Sequence, residues 1–193
     1  MTPLERHAPP LDLEPGWAED IVTRYSGPGR HYHTVQHLEE MLDAWAEVRW
    51  DDPAAAWVAV LLHDAVYVVG AQDNEARSAM LVDGWVERFV RGDVDRDRVR
   101  RLILETARHG QHHGLDHDTA RFVDCDMAIL ASSPSRFDEY EEQVRKEWIP
   151  LVGRAAYEAG RRAFFEGLQG GRIFQSEAFA HLEAQAQANL ARR

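Results

Sequence analysis

At 193 residues, 45% of them hydrophobic, the chain is long enough for one compact domain with a substantial core. Its 22 Lys plus Arg against 33 Asp plus Glu give a net charge of −11, which repels polyanions; duplex DNA or RNA is excluded as a main partner, and a small anion needs a locally positive site. A single cysteine, Cys125, excludes an internal disulfide and a cysteine-rich zinc cage, so a bound metal must rest on histidine and carboxylate.

No apolar run approaches the roughly 18 residues of a membrane span, and the opening MTPLERHAPPLDLEPG lacks the basic region and apolar core of a secretory signal. A cytoplasmic protein without a membrane partner is expected. The first dozen residues read as irregular. The stretch RHYHTVQHL, Arg30 to Leu38, then crowds an arginine and three histidines together. His33 and His37 are four apart and project from one face at the start of a helix, a spacing that suits a metal. Thr34 follows His33 where a zinc protease requires its glutamate, which excludes that class. A capping or solvated histidine pair fits the same spacing. Leu38, Met41, Leu42, Trp45 and Val48 continue as one apolar stripe, and Asp52 with Pro53 forms an N-cap and first-turn pair.

From Ala54 to Val69 the chain reads AAAWVAVLLHDAVYVV, apolar on nearly every face, and predicts a central helix. His63 and Asp64 interrupt it. A carboxylate buried there needs compensation from its neighbouring histidine, from a buried arginine or from a cation. Further helices are predicted from Asn74 to about Val90, with Asp73 as cap, and from Asp97 to about Arg108. The polar, glycine-punctuated HGQHHGLDHD follows as a loop. A helix near Thr119 to Leu130 carries Asp124 and Asp126 amid Phe122, Val123, Met127, Ile129 and Leu130. These two carboxylates do not share a helical face, so one faces a cation while the other orients a ligand histidine or caps the helix; a plain N-terminal charge is the alternative for either. Ser133 and Pro134 open the next helix, which Pro150 and Gly153 break, and two more run from Arg154 to Leu168 and from Glu177 to Leu190. Convincing strand alternation is missing, so the fold class is all-α.

A histidine, a His-Asp pair and a later aspartate, each on its own helix, resemble the HD superfamily of metal-dependent phosphohydrolases. The blocks YHTVQHLEEML, LLHDAVY with DNEARSA, ILETARHG, FVDCDMAIL, VRKEW, AGRRAFFEGL and FAHLEAQAQANLARR are similar, in order, to those of a bacterial group of predicted HD-type phosphohydrolases, from about Tyr25 to the C-terminus. The resemblance implies a single-domain HD-type helical bundle and hydrolysis of a phosphoester in a small phosphorylated metabolite or nucleotide.

It further implies His37, His63, Asp64 and Asp126 as ligands of a divalent ion, for which a mixed nitrogen and oxygen set accepts Mn, Fe, Ni, Co, Zn or Mg. Asp64 also counts among the catalytic residues. The YHTVQH stretch also resembles the start of the cyclic-nucleotide phosphodiesterase site, where the earlier histidine of an i, i+4 pair protonates the leaving group, which implies that His33 acts as that acid or orients the phosphate. Arg30 or His31 would neutralise charge on the phosphoryl oxygens, Glu75 matches an acidic position near the metal-bound water or simply sits favourably in the first turn of its helix, and His109 belongs at the site. Thr34 stands where the group has asparagine, and Met127 where it has leucine. His112, His113 and His117 read as solvated loop residues or, with His109, as a second metal or phosphate-binding wall; Arg145 and Arg161 pair with acidic residues or reach a phosphate; and Trp45, Trp57 and Trp148 read as packing. A di-iron oxygenase, drawing extra ligands from Glu75 or His109, and a metal-retaining binding domain without turnover are the alternatives.

Overall fold

A computed structural model describes residues 2–108 and 114–192. The fold is all-α. Its centre is α3, Pro53–Leu62, in which every residue from Ala55 to Leu62 is buried. Pro53 occupies the first turn and the Asp52 carboxylate accepts the Ala55 N–H at 2.9 Å, so both start signals act as expected. Around α3 pack α2 (Val35–Ala46), α6 (Arg96–Glu105) and α7 (His117–Met127). The Leu38, Met41 and Leu42 stripe of α2 is fully buried in this core.

A buried carboxylate aligns two of these helices. Asp118, in the first turn of α7, accepts the N–H groups of Asp51 and Asp52 at 2.9 and 2.8 Å, and Arg121 pairs with it at 3.2 Å. The start of α3 is thereby tied to α7, and the far end of α3 is where the functional groups lie.

The central helix stops at Leu62, seven residues short of the predicted Val69. Beyond it, side chains from distant segments replace helical partners. Arg30 donates to the carbonyls of Asp64 at 2.8 Å and Ala65 at 3.3 Å, Ser78 accepts the Val66 N–H at 3.0 Å, and Asn74 bonds both the N–H and the carbonyl of Val68. A buried peptide group needs a partner but not a helical one.

Other boundaries shift for local reasons. The predicted helix from Asn74 to Val90 divides into α4 (Asn74–Ala79) and α5 (Val82–Phe89), where the Leu81 N–H makes an i→i−3 bond to Ser78. Asp73 holds the N-cap position of α4 without a side-chain cap bond. The next helix, α6, is capped by Asp95 and tightens into a 3₁₀ turn, Thr106–Arg108; α7 passes likewise into Ala128–Ala131. Pro150 does not break α8 (Pro134–Val152): it lies inside the last turn, and the stop is Gly153 at φ +78°, a left-handed position that favours glycine. The following α9 spans Arg154–Leu168 as predicted. At the C-terminus a 3₁₀ turn, Ala180–Leu182, precedes α10 (Glu183–Leu190).

The N-terminal stretch is less irregular than predicted. Pro3–Arg6 form a 3₁₀ turn whose Leu4 is fully buried, and Asp12–Leu13 pair antiparallel with Val90–Arg91. The remaining element, α1 (Trp17–Arg24), buries Trp17, Ala18 and Ile21. Among the described residues, no helix is long and apolar enough to cross a membrane.

Asp118→Ala removes the acceptor of two backbone N–H groups from a side chain that is 2% exposed. The expected cost is about 2–3 kcal/mol, read in a thermal melt as a midpoint lowered by roughly 5–10 °C; an unchanged midpoint would contradict the clamp.

Candidate metal centre

Two buried imidazoles meet at the end of α3. His63, the residue after its last turn, donates from Nδ1 to the Val60 carbonyl at 2.9 Å, so the neutral ring carries its lone pair on Nε2. That nitrogen lies 3.1 Å from Nε2 of His37, which comes from the first turn of α2. Asp64 Oδ2 is 3.2 Å from His63 Nε2 and 4.0 Å from His37 Nε2. Asp126 Oδ1, from α7, reverses the order, at 3.2 Å from His37 and 4.0 Å from His63. The ligand atoms of His37, His63 and Asp64 all lie within 4.8 Å of one another, and this group could hold a metal ion.

The donor set fits a cation. Two imidazole nitrogens, 2% and 1% exposed by residue, converge with carboxylate oxygens, and lone pairs facing one another in a poorly solvated site require positive charge between them. Protons supply it in the metal-free protein. Burial works to lower the His63 pKa, but the Asp64 charge and hydrogen bond, helped by Asp126, raise it to about 9. Asp64 responds oppositely: burial would raise its pKa, and the His63 and His33 charges hold it well below the usual carboxylate range.

His33 stands beside this cluster, just before the α2 N-cap rather than on the helix. Its Nδ1 bonds Glu147 Oε2 at 2.7 Å, its ring stacks on Tyr67 at 4.0 Å between centroids, and its Nε2 lies 3.9 Å from Asp64 Oδ2. Glu147, from α8, also accepts the N–H groups of His31, Tyr32 and His33 at 2.6, 2.8 and 3.1 Å, and the Tyr67 hydroxyl at 2.9 Å. Burial opposes ionisation of Glu147, yet His33 and these N–H groups bring its pKa down to about 2. Burial likewise opposes protonation of His33, and the Glu147 hydrogen bond with the surrounding carboxylates raises its pKa.

Sequence reasoning missed Glu147 and Tyr67. For Glu147 a signal was present: with Val144, Trp148 and Leu151 it makes an i, i+3, i+4, i+7 stripe, placing a carboxylate on an apolar face. Tyr67 gave no comparable signal inside an apolar run read as helix.

The predicted anion-binding groups lie around this cluster. The Arg30 guanidinium is engaged by the carbonyls of His33, Asp64 and Ala65 and lies over the Tyr25 and Tyr67 rings. His31 is exposed and contributes its backbone N–H to Glu147. Glu75, in the first turn of α4, lines a cavity of about 410 Å³ together with His33, Asp64 and Asp126. His109, His112 and His113 lie outside the described residues. His117 is exposed, 3.9 Å from Asp51.

Asp124 neither orients a ligand histidine nor caps its own helix. It is fully buried and accepts the N–H groups of Gln175 and Ser176 and the Ser176 hydroxyl at 2.6–2.7 Å, pinning the segment before α10. Arg145 pairs with Glu142, and Arg161 with Glu141 while lining the cavity. Trp57 is fully buried, as the packing reading requires. Comparison of the chain with protein-family models, curated proteins and solved structures finds no match.

In the metal-free protein, His63 with a pKa raised from 6.5 to about 9 stabilises the fold fully below about pH 6.5, and this contribution is lost as pH rises through about 9. The thermal midpoint of metal-stripped protein is expected to fall across that interval. Added Mn²⁺ or Ni²⁺ should raise the midpoint, release protons into weakly buffered solution and flatten the dependence. A midpoint that climbs between pH 6.5 and 9 without metal would count against the assignment.

Proposed function

We propose that the chain is a cytoplasmic metal-dependent phosphohydrolase of the HD type, hydrolysing a phosphoester in a small phosphorylated metabolite or nucleotide. The observation that carries this reading is the convergence of His37, His63, Asp64 and Asp126, the two carboxylates opening on one cavity, with His33 held beside them and lining the same cavity. Two histidines and two carboxylates would hold a divalent ion such as manganese, iron, nickel, cobalt, zinc or magnesium. Such an ion, when bound, acidifies a coordinated water and polarises a phosphoryl oxygen.

The protein's own residues supply the rest. Ionised Glu147 accepts only, so His33 Nδ1 carries its hydrogen and Nε2 is the nitrogen turned to the cavity floor. With its proton affinity raised, His33 is suited to protonate the departing alcohol oxygen. Stacking on Tyr67 and the bond to Glu147 hold the ring in place, which preserves that geometry between turnovers. Tyr32 also lines this cavity, and its hydroxyl is buried with no hydrogen-bond partner among the described groups.

Asp64→Ala should abolish metal binding and turnover together. His33→Ala should retain the ion, measured by elemental analysis, and lower kcat by about 10²–10⁴-fold. Metal-dependent phosphate release that survives Asp64→Ala would sink the site assignment. Bound metal with no phosphate release from any phosphoester would move weight to a non-hydrolytic domain, and an iron absorption band to an oxygenase.

Tyr32→Phe removes an unpaired buried hydroxyl and should stabilise the fold by about 1 kcal/mol, raising the midpoint by roughly 2–4 °C. A variant that loses stability would show that the hydroxyl has a structural partner instead.

A further inference from the structure

The cavity over the metal centre continues past its polar floor. Val144, Trp148, Arg161 and Phe164 line it and also line a second cavity of about 360 Å³ between α8 and α9. The second cavity follows from the hairpin these helices make about Gly153. One wall is Val144, Trp148 and Val152, at i, i+4 and i+8 of α8; the other is the α9 face carrying Tyr157, Arg161 and Phe164. On its α9 side the cavity is also lined by Ala156 and Gly160, and a Cβ at Gly160 would meet no atom within 4 Å. The gap therefore exists because the residues there are small.

Charge limits what can enter. Among the described residues lining the two cavities, Arg161 is the sole lysine or arginine, against the carboxylates of Asp64, Glu75 and Asp126. Its guanidinium already bonds Glu141 Oε1 at 2.9 and 2.5 Å and lies on the rings of Tyr140, Phe164 and Phe165. A divalent ion held by the His37, His63 and Asp64 group, with protonated His33 beside it, would match the charge of one phosphoryl group. A second or third would face carboxylates and hydrocarbon without a free cation to neutralise it.

We propose that the substrate is a phosphomonoester whose alcohol carries an apolar, aromatic-sized arm, seated between α8 and α9 with the phosphoryl group over His37, His63, Asp64 and Asp126. This rests on the phosphohydrolase reading above. Hydrolysis breaks the phosphorus–oxygen bond to the alcohol and forms one from phosphorus to the oxygen of water. His33 delivers a proton to the alcohol oxygen and recovers one from the water, so the products are the free alcohol and inorganic phosphate. Trp148, Phe164 and the gap at Gly160 select the arm, since apolar surface leaving water on binding favours the longer alcohol.

The test compares ethyl phosphate, 3-phenylpropyl phosphate and ADP as substrates of the full chain loaded with Mn²⁺, and measures binding of 3-phenylpropylphosphonate, which cannot be hydrolysed at its carbon–phosphorus bond, by calorimetry. The expected result is a kcat/KM for the phenylpropyl ester at least about tenfold above that for the ethyl ester and above that for ADP. Gly160→Leu, a better helix former than glycine, should bring the phenylpropyl-to-ethyl ratio close to one and weaken phosphonate binding by a similar factor, with its folding checked by a thermal melt.

Hydrolysis with no preference for the arm, or a preference that Gly160→Leu leaves intact, would overturn the inference while keeping the phosphohydrolase reading. Phosphonate binding that depends on Gly160, with no hydrolysis of any ester, would overturn that reading and keep the ligand class. Absence of both would overturn both. A dimer in light scattering that dissociates in Gly160→Leu, with the substrate ratio unmoved, would assign the groove to a second copy of the chain and overturn the proposal.

Discussion

Two imidazole nitrogens held 3.1 Å apart at the end of a fully buried helix, with carboxylates beside them, need positive charge between them. The helix that carries His63 is immobilised for this purpose at both ends. At its start the buried Asp118 carboxylate ties Asp51 and Asp52 to α7, and beyond its end Arg30, Asn74 and Ser78 take over the backbone groups of residues 64–68. Because α7 also bears Asp126, the clamp at one end of α3 keeps its orientation to the helix supplying the fourth group.

Glu147 is the second fixed point. One carboxylate gathers three successive backbone N–H groups, a histidine ring and a tyrosine hydroxyl. A charge this deeply buried is tolerable only when its oxygens are satisfied, and satisfying them is what shapes the loop before α2. The same bonds fix the His33 tautomer and hold the ring against Tyr67. Positioning the imidazole and folding the loop are thus one set of interactions, and α8 belongs to the site although it contributes nothing to the metal group.

The cavity is two-natured for a reason rooted in α8 and α9. The floor carries His33 and the carboxylates of Asp64, Glu75 and Asp126 from other segments, whereas the α8 and α9 faces turned to each other carry tryptophan, phenylalanine and valine with small residues opposite. Arg161 stands where the two meet, already neutralised by Glu141.

The amino-acid pattern determined much of this unaided. Apolar spacing on α2 and the unbroken apolar run of α3 specify what is buried, since hydrophobic burial reads composition and period directly. Asp52–Pro53 and Ser133–Pro134 mark helix starts because capping is a local interaction. The His-Asp pair at 63–64 and the carboxylates Asp124 and Asp126 were legible as candidates because polar groups in apolar runs require partners, and the spacing of His33 and His37 marked a histidine pair beside them. Tertiary structure decided the rest. It ended α3 at Leu62, because residues 30, 74 and 78 offer the backbone better-placed partners than another helical turn would. It distinguished Asp126, facing the imidazoles, from Asp124, which pins residues 175–176. It also joined Glu147 to His33 across more than a hundred residues of chain, a pairing set by how α8 packs and invisible to any local pattern.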